Sequence, residues 1–151
     1  MAVETVAGTT IGISAGVPAT FNAAGYLALT YSTIGEITDG GSHGRVYAEV
    51  THMPIGNRGT QKFKGSFNEG NKTLQLAING SDAGQTLLRA AVLSDNPYAF
   101  KVTYQGGAID YFQARAMSFS KATAGVDSIL TATVELSLTT SAGGVGIVEV
   151  P

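Results

Sequence analysis

The sequence predicts a mainly β domain, sandwich or barrel-like, with one flanking helix. Three observations carry that prediction. Glycine outnumbers proline twenty to four and turn signals recur at short intervals, as in strands joined by tight turns. Apolar and polar residues alternate with period two in several segments, the pattern of strands with one face in a core. One segment alone leaves that period for a helical one.

In chain order, strands are expected around residues 11–14, 26–31 and 34–38. Val46, Ala48 and Val50 then oppose Arg45, Tyr47 and Glu49, while Phe63 and Phe67 flank Gly65. Leu74, Leu76 and Ile78 alternate with Thr73, Gln75 and Ala77. The helix follows over about residues 83–93. Asp82 can cap it by accepting from an orphan backbone N–H, and Gln85 can reach back to complete a capping box. Leu87, Leu88, Ala91 and Val92 fall on one face, and Asn96-Pro97 stops the run. Phe100, Val102 and Tyr104 mark the next strand, and residues 109–120 another. The clearest alternation is the last, with Leu130, Ala132, Val134, Leu136 and Leu138 against Thr131, Thr133, Glu135, Ser137 and Thr139. Gly40-Gly41, Gly106-Gly107 and Gly143-Gly144 mark turns or hinges. The chain thus predicts one domain over residues 1–151, with an N-terminal arm at 1–8 and a C-terminal arm at 141–151.

Charged residues make up 13% of the chain, about half the usual ~25%. A surface so poor in charge points to cover by a partner. The net charge of −2 argues against a basic nucleic-acid-binding face. With no cysteine, disulfides and thiolate metal sites are excluded. The N-terminus lacks the cationic start and apolar run of a signal peptide, and no stretch reaches the ~20 apolar residues of a membrane span. A soluble chain, cytoplasmic when made, is expected.

Catalytic chemistry finds no support. Nucleophilic catalysis needs a base beside the nucleophile, and the two histidines, His43 in a Gly-Gly-Ser-His-Gly turn and His52, have no such motif around them. His43 reads as turn polarity. No catalytic residue, metal ligand or cofactor site is assigned. Lys62, Lys64 and Lys72 read as a solvated strand face, with Glu69 nearby. The longest internal segment without period is His52, Met53, Pro54, Ile55, Gly56, Asn57, Arg58, Gly59, Thr60 and Gln61. It is longer than an ordinary hairpin loop of two to five residues, which invites a functional reading.

The order of these segments resembles the tail tube proteins of long-tailed phages. The match runs through Ile34-Gly-Glu-Ile-Thr-Asp-Gly-Gly41, the Val50-Thr-His-Met53 entry to a long loop, and Phe67-Asn-Glu-Gly70 with Thr73-Leu-Gln-Leu76. The helix with Ala83-Gly-Gln85 and Leu87-Leu88 comes next, followed by Phe100-Lys-Val-Thr103, the Gly106-Gly107 turn and the segment 127–138. It spans roughly residues 9–140.

The resemblance implies a structural subunit without enzymatic activity. Six copies are expected to form a ring, and rings to stack into a tube that conducts DNA during ejection. The implied partners are the chain itself, tail tip and terminator proteins, and DNA as non-specific cargo, within a virion assembled in the host cytoplasm. The ten-residue loop from His52 to Gln61 is expected to contact a neighbouring subunit. It departs from the family pattern in carrying no acid, which implies an acidic partner surface. A conduit that neutralised phosphates would hold DNA tightly, so the lumen is expected to be neutral or negative. Glu36, Glu49 and Asp110 are its candidate acids. The alternatives are another self-assembling β protein of an injection machine, a tail terminator, or a monomeric β-sandwich binding module.

Overall fold

The computed structural model describes residues 2–151, and Met1, part of the expected N-terminal arm, lies outside them. The first elements are β1 (Thr10–Ser14), α1 (Ala23–Leu27), β2 (Ser32–Thr33), β3 (Ile37–Asp39), β4 (Val46–His52) and β5 (Gln61–Asn68). They are followed by β6 (Asn71–Ala77), α2 (Ala83–Leu93), β7 (Tyr98–Thr103), β8 (Ile109–Ala122), β9 (Thr131–Thr139) and β10 (Val148–Val150). Eight strands form one curled, half-barrel sheet in the order β2-β1-β7-β8-β9-β6-β3, with β10 also on β8. Strands β4 and β5 pair only with each other. No described helix is long and apolar enough to cross a membrane.

The long strand β8 anchors both faces of the sheet. Tyr111, Phe112, Gln113 and Ala114 are all buried, the mark of a strand covered on both sides. On one face Phe112 stacks on Phe100 at 5.5 Å. Leu74, Leu76, Val134, Leu136 and the helical Leu88 and Ala91 complete that core. Burying each such Leu, Phe or Val side chain stabilises the fold by about 2 kcal/mol. On the reverse face Tyr26 stacks on Tyr111 at 5.3 Å, close to Ala99. The alternation expected for the last long strand holds from Ala132 on, with Ala132, Val134, Leu136 and Leu138 buried.

Three local expectations are corrected. Residues 26–31 do not form a strand: α1 ends at Leu27, so the domain has a second, short helix beside the one expected. Asn22 caps it, its Oδ1 accepting from Gly25 N–H at 2.9 Å, and the aromatic residues that suggested a strand instead cover the reverse face. Leu130 lies outside β9 and is 47% exposed, because it ends the exposed segment 123–130 that leads into the strand. The Asp82 cap forms, accepting from Gln85 N–H at 2.9 Å, but Gln85 does not reach back to it. Its buried amide accepts from Asn79 N–H and donates to the carbonyls of Gly35 and Ala77. Gln85 therefore ties α2 to the backbone at Gly35, Ala77 and Asn79.

The C-terminal arm lies on the sheet in the isolated chain. Its β10 pairs with Ile109–Tyr111 of β8, continuing the row that β9 leaves at Gln113.

Candidate assembly interface

The hairpin of β4 and β5 stands apart from the core. Every residue of β4 is exposed, and Val46, Val50, Phe63, Met53 and Ile55 are among the large exposed apolar side chains. Val50 pairs with Phe63, and residues directly opposite share a face, so Val46, Ala48, Val50 and Phe63 form one apolar side. The other side is polar and aromatic. Tyr47 packs on Phe67 at 5.8 Å, Arg45 lies over Phe67 at 3.9 Å and Lys64 over Tyr47 at 4.9 Å. A lone two-stranded hairpin is marginal in water, and an exposed apolar side this continuous makes it the candidate interaction surface.

The expected loop shortens at both ends, since His52 closes β4 and Gln61 opens β5, each opposite the other. The remaining tip is held by two local bonds. Asn57 N–H donates to the Pro54 carbonyl at 3.2 Å, and Asn57 Oδ1 accepts from Gly59 N–H at 3.0 Å. Met53 and Ile55 project from this tip, 71% and 108% exposed. Arg58 has no ion-pair partner among the described residues.

At the hairpin's base, residues 40–45 cross a cavity of about 830 Å³. Gly41 turns this linker with φ of +63°, a conformation that favours glycine, and its N–H donates to Asp39 Oδ1 at 2.8 Å. His43 then enters a part-buried polar chain. Lys72 Nζ lies 3.0 Å from His43 Nδ1. An ammonium can only donate, so Nδ1 accepts and Nε2 carries the hydrogen, given to Asp110 Oδ2 at 2.8 Å. Tyr104 OH donates to the same oxygen at 2.6 Å. Burial lowers the Lys72 pKa against the pull of Asp110 and Asp39, and burial together with the bond to Asp110 raises that of Tyr104.

A second pair closes the same wall. Arg45 Nε donates to Glu69 Oε1 at 2.7 Å, and the Glu69 side chain is only 1% exposed. Glu69 Oε2 is buried without a partner. Five carboxylates line the cavity, those of Glu4, Asp39, Glu69, Asp110 and Glu149, against the two cations Arg45 and Lys72. No described group of His, Cys, Asp and Glu is disposed to hold a metal ion.

The three candidate lumen acids lie on separate surfaces. Glu36 is exposed just before β3, at a positive φ of 60°. Glu49 sits on the hairpin, 3.4 Å from Lys62. Asp110 is taken up by His43 and Tyr104. Sequence reasoning did not find the His43 cluster, whose members Lys72, Tyr104 and Asp110 are 29, 61 and 67 residues away from His43. It also placed Lys72 on a solvated face, whereas Lys72 is 3% exposed. The signal was present: Lys72 stands two residues before Leu74 and therefore on the core side of β6.

The curled sheet is similar to solved parts of contractile injection systems. The sheath/tube terminator of an extracellular contractile injection system (PVC) superposes with a TM-score of 0.71 at 8% identity, covering 100% of this chain and 99% of that one. A chain of the anti-feeding prophage (AFP) baseplate gives 0.62 at 12% identity, covering 92% and 94%. A chain of the PVC sheath-tube complex gives 0.60 at 10% identity, covering 94% and 87%. At such identities the likeness is one of fold. No curated protein matches in sequence. The lambda phage tail tube protein family matches residues 21–143, from the cap of α1 through β9, and the chain belongs to that family.

Proposed function

We propose that this chain is a non-enzymatic structural subunit that forms six-membered rings and stacks them into a tail tube. The observation that carries this reading is the hairpin, an apolar-sided element that the chain does not cover by itself. Residues 52–61 at its tip supply the contact to a neighbouring subunit. The low charge content of 13% fits a surface largely spent on copies of itself. Family membership points the same way, and tail tip and terminator proteins are the further partners in a virion assembled in the host cytoplasm.

In this reading the tube conducts DNA without binding it. Among the three acids proposed for the lumen, Glu36 is exposed and unpaired among the described residues. One such acid per subunit becomes a negative circle in every ring. A capping role is the second reading, favoured by end-to-end superposition on the PVC terminator chain. Sedimentation of the concentrated protein tests self-assembly. A mass rising with concentration through a hexamer to long polymers supports the tube, whereas growth that stops at a hexamer supports the cap. A constant 15.5 kDa monomer at every concentration contradicts both.

A further inference from the structure

The cavity at the hairpin's base has an unanswered charge. Its five carboxylates outnumber its two basic side chains, Arg45 and Lys72, by three. His43 is already engaged, its ring nitrogens lying 3.0 Å from Lys72 Nζ and 2.8 Å from Asp110 Oδ2. Arg45 serves one oxygen of Glu69, and the other is buried with no donor among the described residues. A buried, unpaired carboxylate oxygen is costly unless a donor or cation approaches. Residues 50–68, the far part of the hairpin, have the opposite character. They include Arg58, Lys62 and Lys64 and no acid. Lys62 has Glu49, and Lys64 lies over Tyr47. Arg58, at the tip, has no ion-pair partner among the described residues.

We infer that this cavity is the receptor for the hairpin tip of a second copy, with the Arg58 guanidinium as the cation it takes. The inference rests on the self-assembly reading and names the site that receives the loop. Arg58 suits the role by chemistry. A guanidinium offers five donors in a rigid fork and is weakly hydrated, so it enters a carboxylate-lined space more readily than an ammonium. The exposed lip acids Glu4 and Glu149 meet it first, and Glu69 adds its charge from below. The chain's own tip is not the occupant, because it stands at the opposite end of the seven-residue strand β4 from the cavity, roughly 20 Å away at 3.3 Å per residue.

The test is charge reversal and rescue, read as the concentration at which the purified protein polymerises. Arg58→Glu is expected to raise that concentration about tenfold or more, the scale of losing one close interfacial charge pair. The folded monomer and its melting temperature should be unchanged, because Arg58 makes no ion pair among the described residues. Glu4→Arg combined with Glu149→Arg should impair assembly similarly. Adding Arg58→Glu to those two changes should restore most of it. Unimpaired polymerisation of Arg58→Glu would overturn the inference, as would impairment that the cavity reversals do not rescue. In either case a parent chain that polymerises leaves the self-assembly reading standing. A parent chain that stays monomeric removes that reading, and the inference with it.

Discussion

At the scale of single residues, the two sides of β9 are expected to respond differently to substitution. Leu136 is fully buried in β9, so Leu136→Asp places an unpaired charge in the core. The cost is several kcal/mol, against a total of ~5–15 kcal/mol for a typical domain. The variant is expected to be unfolded or insoluble by circular dichroism, and a parent-like melting curve would contradict the core assignment. Thr133→Asp, on the exposed side, should fold normally and affect only polymerisation. The tyrosines supply a pH dependence. Burial raises the pKa of Tyr26 to about 12, and those of Tyr31, Tyr104 and Tyr111 also rise. These groups prefer to stay neutral when folded, so their stability contribution is full below pH 10 and lost as pH rises toward 12. Urea midpoints measured from pH 9 to 12 should fall with the appearance of tyrosinate absorbance. A flat profile would contradict this.

At the scale of elements, alternation made the sheet strands legible, and the Asp82 cap made α2 legible. The short helix α1 was not, because its five residues hold no full helical period and Tyr26 reads equally well as a strand residue. The hairpin was legible as two strands and a long loop, yet not as a separate sheet, since alternation reports which sides differ and not whether either is covered. The proposed contact with a neighbour predicts the hairpin's dynamics. Backbone amides of residues 46–68 should exchange rapidly in the monomer and slowly in the polymer. Equal protection in both states would remove the hairpin from the interface. Replacing residues 54–59 by a short Gly-Ser turn should leave a folded chain that no longer polymerises.

At the scale of the molecule, fold and family could be read in advance because segment order survives where single motifs are weak. The charged cavity could not, because it gathers residues from the N-terminal arm, the linker before β4, β6, β8 and β10. The arms are proposed to join successive rings. Residues 2–8 are exposed throughout, so deleting them should preserve the fold and leave monomers or single rings. Long tubes from that deletion would assign ring stacking to other residues. Removing residues 143–151 also strips β10 from β8 and uncovers Glu69 beside Gly146, so it should lower stability as well as assembly. Tubes mixed with double-stranded DNA at low salt should bind little of it. Tight, salt-sensitive binding would contradict an acidic lumen. The most direct test of the whole account is negative-stain electron microscopy of the purified protein after concentration. The account predicts six-fold rings and stacked tubes, lost when residues 54–59 are replaced. Dispersed single subunits at every concentration, or tubes that persist without the hairpin tip, would contradict it.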